Sequence, residues 1–167
     1  MPEQPEQIAL LMAQVFDPAV TQMTLLDKIN LLEKTIQQAD LPEIDLPLKH
    51  HFAPSTYGRE ILLLADSFVI GKTHRHAHLN IISKGRVTVA TEHGIAVLEA
   101  PCSFVSEVGT KRAVYAHEDT VWTCIHPNPT NTTDLERIEE AVIVPDDEIA
   151  AFRIAVGLDV PALEQGE

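Results

Sequence analysis

Three histidines alternate with other residues in the stretch from Thr73 to Gly85. Side chains alternate between the two faces of a β-strand, so a strand here would place His74, His76 and His78 on one face. Imidazole binds zinc, copper, iron and nickel, and such a row is a ready set of metal ligands. The alternative is a solvated strand face that carries histidines without a metal.

The composition indicates one folded domain. The chain has 167 residues, 45% of them hydrophobic, and no apolar run is long enough to span a bilayer. Its acidic N-terminus lacks the basic region of a signal peptide, so we expect a cytoplasmic protein. The two cysteines, Cys102 and Cys124, form no CxxC motif and are expected to be reduced thiols.

The net charge of −13 is unevenly distributed along the chain. Residues 51–133 carry seven acidic and seven basic side chains, whereas the segments on either side are acidic. Nucleic-acid binding requires a basic surface, so this distribution argues against a nucleic-acid partner. The acidic flanks are explained by solubility alone.

Helices are predicted before and after a central β region. A short helix over 8–16 is followed by a longer one to about Ala39, with Thr24 as N-cap and Asp27 as its capping-box partner. Its apolar stripe needs a partner: the outer face of a barrel, a neighbouring helix or another subunit. Near the C-terminus we predict a helix over 134–140 capped by Thr133, a strand over 141–144, and a last helix that Gly157 ends.

The central region has the short strands and regularly spaced turns that are typical of a β-sandwich or barrel. Strands are predicted over 57–64, 68–70, 74–82, 86–91, 95–99, 102–106, 112–116 and 120–126, separated by glycine-bearing or charged turns. The proline-rich segment 41–47 cannot continue a helix and serves as a linker. We therefore divide the chain into an N-terminal helical extension (1–47), a β-barrel (48–145) and a C-terminal helix and tail (146–167).

This pattern resembles the cupin superfamily over roughly residues 50–127. The first cupin motif places two histidines and a glutamate on one strand, followed after six residues by a glycine. With Gly85 as that glycine, His74 matches the second histidine, His78 replaces the glutamate and Lys72 replaces the first histidine. In the second motif a histidine follows a turn, and Arg112 takes its place after 108–111. The resemblance implies a mostly β, single-domain jelly-roll barrel that often holds one divalent metal.

A closer resemblance is to small cupins encoded by bacteriophages and prophages. It rests on the phrases His51-Phe52, Tyr57-Gly-Arg59-Glu60, His78-Leu-Asn80-Ile-Ile-Ser-Lys-Gly85, Gly109-Thr-Lys-Arg112 and His117-Glu-Asp-Thr-Val-Trp122. This likeness implies the fold, a homodimer and a location in the host cytoplasm. It implies no reaction.

The cupin likeness implies His74 and His78 as metal ligands. A stable site needs a third protein ligand, and His126 is the candidate for it. The last jelly-roll strand pairs with the first-motif strand, and alternation puts His126 on the same face as Trp122 and Cys124. Alternation does not decide whether that face points inward. His51 and Glu60 are the alternatives for the third ligand, and His76 matches no cupin ligand.

Arg112 departs most from the cupin pattern, since a guanidinium repels a metal and does not coordinate one. If Arg112 turns outward, a three-histidine site remains. If it lies inside, the cavity suits a carboxylate, phosphate or sulfate. Tyr57, Glu60, His74 and His76 are the candidates for further hydrogen bonds to that ligand. A third possibility is a salt bridge to Glu107 or Glu118.

Three functions are compatible with these residues. The first is a metal-dependent protein acting on a small molecule, with zinc, iron, nickel or manganese as the metal. The second is a metal-free barrel that binds a small anion through Arg112. The third is a non-catalytic oligomeric scaffold. Fold alone does not rank them, because one barrel carries many unrelated activities.

Overall fold

The structure is a computed structural model and describes residue 13 and residues 23–39 and 44–159. Its helices are α1 (Leu25–Gln38), α2 (Leu135–Val142) and α3 (Ile149–Ala155), and a 3-10 turn, Asp146–Glu148, leads into α3. The helix expected over 8–16 lies outside the described residues except for Ala13. Among the helices of the described ranges, none has the length and apolar character to cross a bilayer.

Nine strands form two antiparallel sheets in the described residues. They are β1 (Leu48–Ala53), β2 (Thr56–Leu63), β3 (Phe68–Ile70), β4 (His78–Lys84), β5 (Arg86–Thr91), β6 (Gly94–Glu99), β7 (Cys102–Ser106), β8 (Arg112–Ala116) and β9 (Thr120–Pro127). The sheet orders are β1-β2-β9-β4-β7 and β3-β8-β5-β6. From β2 to β9 the chain changes sheet at every connection except β5 to β6, which is jelly-roll topology. The predicted mostly β jelly roll with flanking helices is confirmed, and β1 is an added edge strand.

The core lies between the two sheets. Val87 of β5 and Val114 of β8 face Leu63, Ile82 and Trp122 of the other sheet in one buried cluster. These positions alternate with outward-facing residues along each strand, as expected of strands with one buried face. Burial of this apolar surface drives the closure of the two sheets.

The apolar stripe of α1 packs on the outer face of the four-stranded sheet. Ile29 and Leu32 are 0% exposed and contact Ala90 of β5 and Ala113 of β8. The small alanine side chains allow the helix to approach the sheet closely. Of the three partners that the sequence allowed, the structure shows the barrel.

Side-chain caps fix the starts of two helices. The Thr24 hydroxyl accepts a hydrogen bond from the Asp27 N–H (3.1 Å), as predicted for α1. Helix α2 is capped by Asp134 rather than Thr133, because the Asp134 carboxylate accepts from the Glu136 N–H (3.1 Å). A carboxylate at this position also interacts favourably with the helix dipole.

Two predicted strand boundaries were wrong for the same reason. Strand β4 begins at His78 instead of His74, and the predicted strand over 141–144 is reduced to a single bridge between His74 and Ile143. Around that bridge, the Arg75 N–H donates to Val142 O (2.8 Å) and the Val144 N–H to Thr73 O (2.9 Å). The backbone before β4 therefore bonds to the chain after α2 instead of extending the sheet.

Candidate metal centre

Three imidazoles meet at one end of the five-stranded sheet. One ligand atom each from His74, His78 and His126 lies within 4.8 Å of the others. The ring centroids are 4.2 Å apart for His74 and His78, and 4.6 Å for His78 and His126. His78 opens β4, His126 is near the end of β9, and these strands pair in antiparallel register. The structure thus brings together the three residues that the sequence and the cupin likeness nominated.

Each of these imidazoles has a buried nitrogen that lacks a hydrogen-bond partner in the described part of the chain. The atoms are Nδ1 of His74, Nε2 of His78 and Nδ1 of His126. A buried polar atom left unpaired costs free energy. The other ring nitrogen of His78, Nδ1, is 3.4 Å from the carbonyl oxygen of His76. A proton on Nδ1 leaves the Nε2 lone pair free, and an unprotonated ring nitrogen of this kind is suited to bind a divalent metal ion.

The electrostatic surroundings keep these imidazoles neutral. Burial lowers the pKa of His74 to about 2, of His78 to about 4 and of His126 to about 3, with further contributions from neighbouring histidines and from Arg112. Neutral imidazole is the form that coordinates a metal. No proton has to be removed from these residues near neutral pH before an ion binds.

His76 does not join the three-histidine group. It lies in the bend before β4, so the expected strand face carrying three histidines in a row does not exist. Its ring is edge-on to that of His126 with 5.9 Å between centroids, and its Nε2 is buried without a hydrogen-bond partner in the described residues. His74 still reaches His78 because the bend folds the chain back towards the strand.

The inward face of β9 carries Trp122, Cys124 and His126. Trp122 belongs to the core between the sheets, and Cys124 packs against the same cluster. Because side chains alternate, the next inward position is His126, which is 3% exposed. This settles the orientation that the sequence pattern left open.

Arg112 lies inside the barrel and is 6% exposed. Its Nη1 donates to Asn80 Oδ1 (3.2 Å), its Nη2 donates to Ser106 Oγ, and its Cζ lies 5.3 Å from the centroid of the Trp122 ring. The expected alternatives for Arg112 included a salt bridge. No ion pair joins it to a carboxylate of the described residues, and Glu118 pairs with Arg86 instead (3.5 Å).

Asn80 connects Arg112 to Trp122 and Cys124 of β9. It is fully buried, and its Oδ1 also accepts from Trp122 Nε1 (3.0 Å) and Cys124 Sγ (3.3 Å). Its Nδ2 donates to Ser106 Oγ (2.8 Å). Asn80 lies two residues after His78 on the same face of β4, and no role was predicted for it from the sequence. The structure shows that it holds Arg112 in place.

A cavity of about 470 Å³ adjoins the histidines. Its walls include His74, His126, Arg112, Trp122 and residues of α2. Helix α2 lies against the barrel, where Ile138 and Val142 are buried with Tyr57. This volume falls within the range of small-molecule sites.

Two further residues nominated from the sequence differ in position. Tyr57 is buried in the cavity wall, and its hydroxyl is 2.8 Å from His50 Nδ1. Glu60 points to the other side of β2, where its carboxylate is 3.2 Å from Lys49 Nζ and 3.4 Å from His51 Nε2. Neither Glu60 nor His51 lines the cavity, so neither lies with the metal candidates.

Arg59 is a cavity residue that was not predicted from the sequence. It lies on the inward face of β2, two residues after Tyr57, and lines the cavity. The signal was present in the alternation, because a strand that turns Tyr57 inward also turns Arg59 inward.

Comparisons with known proteins add likenesses of fold. No protein-family model matches the sequence, and no curated protein matches it. Among solved structures, KdgF from Halomonas sp. has 15% identity and a TM-score of 0.46, covering 60% of this chain and 93% of that one. Ectoine synthase from P. lautus has 12% identity and a TM-score of 0.49, covering 64% and 84%. A cupin superfamily protein from Desulfitobacterium hafniense has 9% identity and a TM-score of 0.44, covering 53% and 82%.

Proposed function

We propose that this protein is a cupin-type jelly roll that binds one divalent metal ion through His74, His78 and His126, and a small molecule in the adjoining cavity. One observation carries the proposal: these three imidazoles each bring a ring nitrogen within 4.8 Å of the others, and each has a buried nitrogen without a hydrogen-bond partner in the described residues. In a purely structural barrel we would expect apolar side chains at these positions.

The donor set suits zinc, iron, nickel or manganese. Three protein ligands leave coordination positions open, as in metal sites that bind water or substrate. A bound ion would polarise a group of the small molecule or lower the pKa of a bound water. The proposal assigns binding and leaves the reaction unassigned.

A second candidate function is a metal-free barrel that binds a small anion. The observation in its favour is the Arg112 guanidinium, which is buried at the cavity without a carboxylate partner in the described residues. The cavity itself favours either binding function over a scaffold with a filled barrel. Metal content separates the two binding functions.

The test is elemental analysis of untagged protein purified without a chelating column. The parent is compared with a His74→Ala/His78→Ala variant and with His93→Ala, which removes an exposed imidazole in the β5–β6 turn. We expect near-stoichiometric metal in the parent and in His93→Ala, and its loss in the double variant. A metal-free parent, even after incubation with zinc, iron(II), nickel and manganese salts, rejects the proposal.

The proposal includes a cytoplasmic homodimer of phage-type origin, for which the family resemblance is the main support. One surface is suited to a second copy: Leu79 of β4 and its cross-strand partner Val105 of β7 are both exposed. Exposed apolar pairs of this kind favour association. Light scattering should give twice the chain mass for the parent and the single mass for Val105→Glu.

A further inference from the structure

The charges that line the cavity do not balance. Among the residues that the structure describes, four charged side chains contribute to its wall: Arg59, Lys72, Arg112 and Glu139. Lys72 and Glu139 form a salt bridge with each other. Two guanidiniums therefore remain without a carboxylate partner among the described residues, in a chain whose net charge is −13. Arg112 is buried and Arg59 is half-buried. A buried charge is normally paired, so the excess positive charge at this cavity favours a negatively charged ligand.

Both arginines lie near Cys124 of the five-stranded sheet, since each contributes to the electrostatics of its thiol. Arg59 on β2 is the cross-strand partner of Cys124 on β9, and Cys124 is the cross-strand partner of Asn80 on β4. Adjacent strands are about 4.8 Å apart. Arg112 lies on β8 of the other sheet. Its guanidinium reaches these paired residues, because it donates a hydrogen bond to Asn80 Oδ1.

Both guanidiniums have donors to spare. The Arg59 guanidinium makes no hydrogen bond or ion pair with the described residues, and the Arg112 guanidinium uses two N–H groups on Asn80 and Ser106. A guanidinium carries five N–H donors in a planar fork that matches a carboxylate or phosphate group. The thiol of Cys124 between them does not supply the missing charge, because burial raises its pKa.

We infer that the ligand of this cavity is a small organic dianion, with one acidic group held by Arg112 and the second by Arg59. The inference rests on the proposed small-molecule cavity but not on its metal. A ligand with two acidic groups neutralises both arginines at once, whereas a monoanion leaves one of them unpaired. Arg59 is thus the residue that distinguishes dianions from monoanions.

The test is calorimetric titration of metal-free protein with small acids. Chelator used to strip metal is dialysed away, because it is itself a polyanion, and the buffer contains no phosphate or citrate. The probes are the dicarboxylates from oxalate to adipate, the monocarboxylates of equal chain length, and phosphoglycolate. The last probe distinguishes a phosphate from a second carboxylate.

We expect at least one dianion to bind about tenfold more tightly than its matched monocarboxylate. In Arg59→Gln that preference should fall below about threefold, while monocarboxylate affinity stays within about twofold of the parent. Arg137→Gln is the matched control, since it removes the same charge from an exposed position on α2. It should keep the parent's preference.

The inference is overturned if no dianion binds more tightly than its monoanion, or if Arg59→Gln keeps the parent's preference. Thermal melting of each variant verifies folding before titration. A dianion preference in a protein that never takes up metal would reject only the proposed metal site. Stoichiometric metal without a dianion preference would reject only this inference.

Discussion

The imidazole rings of His74 and His126 are stacked, with 5.2 Å between their centroids and 12° between their planes. His126 is fixed by the ladder of β9, whereas His74 lies outside the regular sheet and depends on its bridge to Ile143. The His74 carbonyl also accepts from the Gly109 N–H (3.0 Å). The candidate metal centre therefore depends on the chain after α2 as much as on the barrel.

Arg75 ties the His74 loop to the end of α2, and its loss should weaken metal binding. Its Nε donates to Ile143 O (2.9 Å) and Glu140 O (3.2 Å). In Arg75→Gln we expect metal affinity to fall about tenfold, the size typical of residues that orient a metal ligand. Competition with a chromogenic chelator measures it. Arg86→Gln, an exposed arginine on β5, is the control, and equal affinities in the two variants would refute the role.

The three clustered imidazoles should make the metal-free protein sensitive to acid. Their pKa values of about 2, 4 and 3 lie below the ordinary value of 6.5, so the unfolded chain takes up protons that the folded protein does not. Stability is therefore lost as pH falls below 6.5, by up to about 1.4 kcal/mol per pH unit for each imidazole. For each imidazole the loss of stability stops once the pH has fallen below its pKa in the folded protein, because the folded and unfolded states are then both protonated.

A single substitution isolates this effect. His126→Asn removes one of the three imidazoles, so its free energy of unfolding should fall less steeply with decreasing pH than that of the parent between about pH 6.5 and pH 4. Urea denaturation at a series of pH values, with chelator present, measures both slopes. Parallel slopes would show that His126 titrates normally in the folded protein.

Local sequence signals were sufficient for most of the fold. Strands β5, β7 and β8 have the predicted bounds, because glycine-bearing or charged turns limit them and their own alternation defines the buried face. Strand β1 was missed because it is a largely exposed edge strand without such alternation. The start of β4 was misplaced because it is set by hydrogen bonds to residues 142–144, which are distant in sequence.

The residues of the candidate site could be predicted from the sequence, but their arrangement in space could not. His74 and His78 were found by a strand alternation that begins only at His78. Arg112 could not be assigned, because its position depends on Asn80, Ser106 and Trp122, which come from three other strands. Long-range contacts of this kind leave no local pattern in the sequence.

Gly85 is required at the turn between β4 and β5. Its φ is +89°, and a Cβ there would collide with Thr120 Oγ1 and lie 2.6 Å from Asp119 O. Gly85→Ala should therefore lose about 3 kcal/mol from backbone strain and overpacking combined. Gly94→Ala is the matched control, since φ is also positive (+145°) but nothing lies within 4 Å of its Cβ. Urea midpoints compare the two, and equal losses would contradict the steric account.

Arg153 fastens α3 to the β5–β6 turn. It is 4% exposed, and its guanidinium donates two hydrogen bonds to Glu92 (both 2.8 Å) and two to Asp159 (2.7 and 3.0 Å). Arg153→Met should cost about 2–3 kcal/mol at pH 7, since hydrogen bonds to charged groups are strong. Arg137→Met breaks an exposed ion pair and should cost less than about 0.5 kcal/mol.

The Arg153 contribution should disappear in acid. Its hydrogen bonds hold the pKa of Glu92 and of Asp159 below their ordinary values. Stabilisation by such carboxylates is complete above their unfolded pKa and is lost as pH falls through the lower folded pKa. The stability difference between the parent and Arg153→Met should thus shrink below about pH 4. A difference that is independent of pH would show that Arg153 acts by packing alone.

The measurement that tests the metal centre most directly is an anomalous difference map from crystals grown with the metal identified by elemental analysis. The account predicts one strong peak per chain, at coordination distance from Nδ1 of His74, Nε2 of His78 and Nδ1 of His126. A map without a peak among these three imidazoles, or with its strongest peak elsewhere on the protein, would contradict it.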